Sequence, residues 1–454
     1  MAVSKIGRID QKSIIQSGYT NFRMPGWLII MGALLCVAAA YILVAVGFIE
    51  ALFVMTALFA ILLIARPFIA FCLIISLIGF EALNTIQTGQ IYSITAIKMV
   101  GLILVVSLLP NVALRRIRFR FSMQSAVILF FLLSILASFL KAAEIGMAVS
   151  ASLTYLQLAV LWFAVHLIVD DHHRLDVLAK IAVITLSISA LVAIFQFMIN
   201  PAMRITGISQ NAAVLSADLY VAIGFGIALT LLGKRIYSKV FWLALTAICF
   251  GGILFSLSRA AYLAFIPALL VGGLFMSKKA LVILLVILII CFVMIFTPFV
   301  INRLAETSPR RDLSTMGHIM SIQAGIKMMA DNPFLGVGVG NYERNYLRYT
   351  NDPRLYARTP HNSYLAIGSE MGIFSLLAFL FIHAAAYRGL WVNCRNALRN
   401  GDRYTLVFSA VIAAAITAFV IIGMFHTLQI NKYLWILLAL AVKFPEEPEP
   451  ETAS

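Results

Sequence analysis

The chain has 454 residues, of which 62% are hydrophobic and 12% charged, with a formal net charge of +15 and a mean hydropathy of +0.99. A soluble domain carries about a quarter charged residues, and so apolar a chain would expose large apolar patches to water. A soluble protein is therefore excluded, and the composition reads as an all-α bundle crossing a bilayer many times, at about 20 residues a crossing.

The first 26 residues are a basic leader holding Lys5, Arg8, Lys12 and Arg23. The first apolar run starts near Trp27 and a second follows at once, so it reads as an anchor, not a cleaved signal. Apolar runs lie at about 27–47, 49–65, 67–84, 93–110, 124–141, 149–169, 176–199, 211–232, 240–257, 260–276, 280–300, 363–387, 404–425 and 430–443. Some are short, and the expectation is 12–14 spans. The runs are continuous and do not alternate with period two, which excludes a barrel. Backbone groups in lipid must pair within their own segment, so the runs are expected to be helices. The chain then divides into a leader (1–26), a bundle of about 11 helices (27–300), a long loop (301–362), C-terminal helices (363–443) and an acidic tail (444–454). The run Pro445–Glu451 is low in complexity and reads as disordered.

Lys and Arg give the direction of insertion. With the N-terminus in the cytoplasm, 21 of the 34 fall on that side, among them the cluster Arg115, Arg116, Arg118 and Arg120. Both termini are then cytoplasmic. The short opposite loops are nearly bare, and the net charge is met by anionic lipid headgroups with no nucleic-acid partner. Cys36, Cys72, Cys249, Cys291 and Cys394 show no ligand or redox spacing.

The outer face carries the exceptions. Arg204 lies in a turn-rich connection, 200–211, and Arg259 lies where one helix exits and the next re-enters. Arginine presents two parallel donors to phosphate oxygens, although a boundary arginine can equally reach up to lipid headgroups. Residues 315–330 put Met316, Ile319, Met320, Gln323 and Ile326 on one helical face, so an amphipathic helix is expected on the membrane or over the bundle mouth. Asn332-Pro333 ends it. Gly336, Gly338 and Gly340 alternate, as in a tight loop near a ligand; with no strand–helix unit around them, they do not make a dinucleotide site.

His361 follows Pro360 at the mouth of a long apolar helix. It could serve as a general base near neutral pH, or simply cap the helix. Glu370 lies nine residues on, about 900° around the helix and roughly 13 Å deeper, so a structural role is expected for it. Asp170-Asp-His-His-Arg174 contains metal-ligand residue types but reads as a solvated helix connection. No metal site is expected.

Asn332–Tyr342 and Pro360–Gly372 together resemble the signature of the O-antigen ligase/polymerase superfamily, and Ser258-Arg259 and Arg204-Ile-Thr-Gly207…Asn211 resemble its earlier motifs. The resemblance covers about 200–380. It implies a GT-C-type membrane glycosyltransferase of the bacterial inner membrane with a periplasmic active site. Such an enzyme moves a glycan from undecaprenyl diphosphate to a sugar hydroxyl, on the next lipid-linked repeat in a polymerase or on the lipid A core in a ligase. By motif position Arg204 and Arg259 would bind the diphosphate and His361 would activate the acceptor, without cofactor or metal. Asn211, Gly336, Gly338, Asn362, Arg310 and Arg311 are candidates for supporting roles. Other polysaccharide-assembly membrane proteins are possible partners. The span count leans toward a polymerase. Ligase, protein O-oligosaccharyltransferase and small-anion transporter are the alternatives.

Overall fold

The computed structural model describes residues 60–80, 85–87, 93–113, 123–200, 205–209, 211–275, 313–350 and 359–442. The fold is that of residues 66–454, the second of two compact units. It is an all-α polytopic bundle. Its elements are α1 (Pro67–Ile78), a strand pair β1 (Thr85–Gln87) and β2 (Ser93–Thr95), α2 (Ala96–Ala113), α3 (Met123–Ser138), α4 (Ile145–Ile168), α5 (His172–Ile199), α6 (Ala212–Leu232), α7 (Ile236–Phe255), α8 (Arg259–Leu274), α9 (Leu313–Asp331), α10 (Tyr342–Tyr349), α11 (Ser363–Asn400), α12 (Arg403–Gly423) and α13 (Lys432–Val442). Seven helices are long and apolar enough to cross a membrane, namely α3 to α7, α11 and α12, counted among the described residues. The expected spans at 27–47 and 280–300 lie outside those residues.

The strand pair was not expected. Thr85 faces Thr95 and Gln87 faces Ser93 in an antiparallel ladder, which closes the connection between α1 and α2. The last apolar run also differs from a plain span. As α13 it is 11 residues, about 16 Å of helix, and Tyr433–Ala441 are all buried. A helix that short does not cover a core of about 30 Å, and its burial on every side makes it part of the bundle's centre.

The helices alternate in direction, and polar contacts between them fix which ends meet. At one end Ser216 of α6 donates to Ser256 beyond α7 (2.9 Å), and Tyr220 of α6 donates to the Ala261 carbonyl of α8 (2.7 Å). At the same end Asn431 donates to Asp218 of α6 (2.8 Å), and Asn362 donates to the Met424 carbonyl beyond α12 (2.8 Å). At the other end Arg403 donates to the Leu231 carbonyl (3.1 Å) and Tyr404 to the His172 carbonyl (2.8 Å). Arg259, Asn211, Asn362 and His361 thus share one end. The basic connections around Arg174, Lys234–Arg235 and Arg399–Arg403 share the opposite one.

Packing between helices uses small residues, since lipid offers no hydrophobic drive to bring helices together. Gly224 lies against Val411, and Gly272 lies against Ala410 and Ala414. Bulky residues such as Leu133, Phe195 and Leu243 face outward, as they do where lipid is the solvent. The 170–174 run is a helix start. Asp171 accepts from the Arg174 backbone N–H (2.7 Å), Arg174 pairs with Asp170 (2.9 Å), and the His172 ring stacks on Tyr404.

The long helix α11 reaches Asn400, well past the expected end near 387, and stops at a left-handed Gly401. It breaks once. Gly372 has φ 81° and ψ 179°, and a Cβ there would collide with the Phe334 carbonyl. That conformation is almost confined to glycine. Gly372→Ala is expected to cost about 3 kcal/mol and lower the thermal unfolding midpoint in detergent. Gly101→Ala, which meets nothing within 4 Å, is the matched control and is expected to change stability by no more than about 1 kcal/mol.

Candidate active site

The break at Gly372 frees backbone groups of α11, and the glycine-rich segment fills the gap. The Ile373 N–H donates to the Pro333 carbonyl (2.8 Å) instead of to its own helix. In return Val337 N–H donates to the Ser369 carbonyl (2.8 Å) and Gly338 N–H to the Glu370 carbonyl (3.0 Å). The Glu370 carboxylate accepts from Gly340 N–H (2.9 Å) and Tyr342 N–H (3.3 Å). Glu370 therefore holds the loop to the helix, the structural part expected of it.

The same bonds bear on Gly336 and Gly338. Gly336 N–H donates to the Asn332 carbonyl, Val339 N–H to Ser138 Oγ and Asn341 N–H to the Gly338 carbonyl. Every backbone donor from Gly336 to Tyr342 thus has a protein acceptor. The positive φ angles of Gly336, Gly338 and Gly340 (64°, 98° and 71°) bring the loop against Glu370, Ala142 and Met147 backbone, where a Cβ would clash. The loop is a packed wedge with no N–H left to cradle a phosphate.

Asn341, fully buried, completes the wedge. Its Oδ1 accepts from Glu144 N–H (2.7 Å), and its Nδ2 donates to the Val339 carbonyl (2.9 Å) and the Glu144 carbonyl (3.3 Å). Arg344 pairs with Glu144 beside it (3.3 Å). Tyr342 then carries the support outward by donating to the Ser321 carbonyl of α9. Burial first, then Tyr346 and Glu370, push the Tyr342 phenol above its ordinary range, so it stays a donor.

The amphipathic helix expected at 315–330 is α9, and its small-residue face, not its bulky apolar stripe, is the one buried in the protein. Gly317, Ser321, Ala324, Gly325 and Met328 are buried, whereas Met316, Ile319, Gln323 and Ile326 are exposed. The small face wins because α9 lies directly on α11: Gly325 meets Leu365, and Met329 meets Gly368. Ala324 and Met328 pack with Val337, Tyr342 and Tyr346. The bulky stripe is left for an apolar surround.

His361 sits two residues before α11 with φ 49°. A non-glycine residue there is uncommon, and histidine is among the types that tolerate it. Its Nε2 lies 3.0 Å from Thr359 Oγ1. Asn362 caps α11, accepting from Leu365 N–H (2.8 Å). Asn211 caps α6, accepting from Ala213 and Val214 N–H (3.0 and 2.9 Å). Arg259 opens α8 and is exposed, two residues after Leu257, whose φ is 51°. Arg204, Arg310 and Arg311 lie outside the described residues. The adjoining 205–209 turn is pinned to α5 by Gln196, which accepts from Gly207 N–H (2.9 Å) and donates to its carbonyl (3.1 Å).

Two residues at this end were not anticipated. His318 of α9 has its ring centroid 4.5 Å from that of His361, and His426, after α12, lies 6.5 Å from His361. A lone histidine in a helix or a turn carries no spacing signal; the docking of α9 brings His318 to His361, and the turn after α12 brings His426. No group of three or more His, Cys, Asp or Glu among the described residues is arranged to hold a metal ion.

Residues 244–380 match the family model of the O-antigen ligases. The match runs from within α7 to within α11 and takes in Arg259, α9, the glycine wedge, His361 and Glu370. The resemblance of these motifs to the O-antigen ligase/polymerase superfamily is borne out over that stretch. The match supports an O-antigen ligase/polymerase-type membrane enzyme over that stretch, about a third of the chain. No curated protein matches the chain.

Glu370→Ala leaves two backbone donors of the glycine wedge unpaired, an expected cost of about 2–4 kcal/mol. A lower unfolding midpoint and new protease cleavage between 334 and 342 should report it. Glu370→Gln keeps one acceptor oxygen and should fall between the two.

Proposed function

We propose that the protein is a GT-C-type glycosyltransferase of the bacterial inner membrane, transferring a glycan en bloc from undecaprenyl diphosphate to a sugar hydroxyl at the periplasmic face. The observation that carries the reading is that Arg259 and His361, whose φ is 49°, both lie at one end of the bundle and within the O-antigen ligase match. The basic connections gather at the opposite end, which fits a cytoplasmic assignment for that end and a periplasmic one for the site.

In this reading His361 takes the proton of the acceptor hydroxyl. The hydroxyl oxygen bonds to the anomeric carbon as the bond from that carbon to the diphosphate oxygen breaks, and the electron pair leaves on the diphosphate. One displacement inverts the anomeric centre. Arg259 and Arg204 offset the charge that builds on the leaving group, which preorganised cations do well in a site of low dielectric. Side chains must supply this charge, because the glycine wedge has no spare N–H. The chemistry asks for no metal. Polymerisation onto the next lipid-linked repeat is preferred from the span count in the sequence, with ligation to lipid A core as the second form.

A deletion strain complemented with variants tests the reading. His361→Ala is expected to lower transfer by about 10²-fold or more, and Arg259→Ala by about 10²-fold, with normal membrane levels of protein. Single-repeat glycans in the deletion would mean a lost polymerase, and carrier-bound polymer a lost ligase. Normal surface glycan in the deletion, or full activity of His361→Ala, would sink the assignment.

A further inference from the structure

Three imidazoles meet at the mouth of α11. His318 comes from the second turn of α9, His361 from the approach to α11, and His426 from the turn between α12 and α13. The centroid separations are 4.5 Å for His318–His361, 6.2 Å for His318–His426 and 6.5 Å for His361–His426. Among the described residues, His318 and His426 are the titratable side chains whose rings face His361. All three are half-buried.

The position of His318 is held from two sides. Gly325 and Met329 seat α9 on Leu365 and Gly368 of α11. Ser321, three residues beyond His318, receives the Tyr342 hydroxyl, and Tyr342 N–H is itself held by Glu370. His318 and His361 are therefore aligned by the same helix, α11, through two routes.

Two imidazoles in ring contact resist being charged together, because each cation raises the cost of the other. A proton shared between two equal sites leaves either one neutral about half the time, and the pair takes up its second proton only at lower pH. At one pH unit below the common midpoint, about half of the His361 rings would remain neutral, against about a tenth for a lone imidazole. His426, at greater distance, acts with the same sign and less strength.

We propose that His318 is a positioning residue for His361: its ring contact keeps His361 in the neutral form that can accept a proton. This rests on the reading of His361 as the base. Neither the proton taken from the acceptor nor the bond changes are altered; the proton ends on His361. The consequence is that base strength depends on α9 being seated.

The test is the pH profile of transfer by the full chain in lipid nanodiscs, with a lipid-linked oligosaccharide donor and its acceptor. His318→Phe keeps a ring that cannot titrate, and His318→Asn removes the ring. In both, the acid limb is expected to move to higher pH by about half to one unit. One unit below the variant's midpoint, the rate relative to each protein's own plateau should be about three- to fivefold lower in the variant. In parallel, histidine-resolved nitrogen NMR follows the His361 titration, assigned by its absence in His361→Asn. The His361 midpoint should rise in both His318 variants. Superimposable profiles and unchanged His361 titration in folded variants would overturn the proposal, as would an equal loss of rate at every pH. Full activity in His361→Ala with a displaced His361 titration in His318→Phe would instead defeat the base assignment and leave the coupling standing.

Discussion

The Glu370 carboxylate, accepting two backbone N–H groups across the break at Gly372, holds the glycine wedge and, through Tyr342, supports α9. A carboxylate in such surroundings is tolerated only where its oxygens are met by donors, and Gly340 and Tyr342 supply them. The break makes this possible. A straight helix would use its own carbonyls and leave no edge for another segment to pair with. Because α11 gives up its regular bonding at Gly372, residues 333–342 can bond to it in place of a helical turn. Tyr342 then reaches α9, and α9 delivers His318 to His361. One irregular residue thus positions side chains on three separate elements.

That construction has a chemical consequence. Glycine-rich loops bind phosphate through unpaired backbone N–H groups. Here all of them from Gly336 to Tyr342 are spent on holding the loop down. The glycines are needed for approach to the Glu370, Ala142 and Met147 backbone, not for approach to a ligand. In the proposed reaction the anionic leaving group would find no partner in the wedge backbone, which puts weight on arginines at the same end. The N-termini of α6 and α11 there are capped by Asn211 and Asn362, so these residues order the frame around the site.

Much of the helical content was legible, and the reason is the solvent. Lipid forces long apolar runs and internal backbone pairing, so α3 to α8, α11 and α12 lie close to the runs read from hydropathy. The weaker readings were those in which neighbours decide. Residues 313–331 are helical as expected, yet the buried face holds Gly317, Ser321, Ala324 and Gly325. Bulk does not choose the buried side where two helices approach this closely, and the apolar stripe is free to meet an apolar surround. Glu370 could be placed on its helix, but nothing local said what its carboxylate would bind. His318 and His426 carry no motif at all.

By itself the sequence determined the material of this protein and its polarity: an all-helical membrane bundle, basic connections set apart from the motif-bearing ones, and His361 at the mouth of a long helix. Those properties follow from composition, run length and charge order, each a sum over local terms. The tertiary structure alone decided which donors were already used, which face of α9 was inward and which imidazoles touched. These depend on pairs of residues far apart in the chain, such as Val339 with Ser138, 201 positions away, and no local term contains them. The resemblance of the motifs pointed to His361; only the docking of α9 on α11 placed a second imidazole against it.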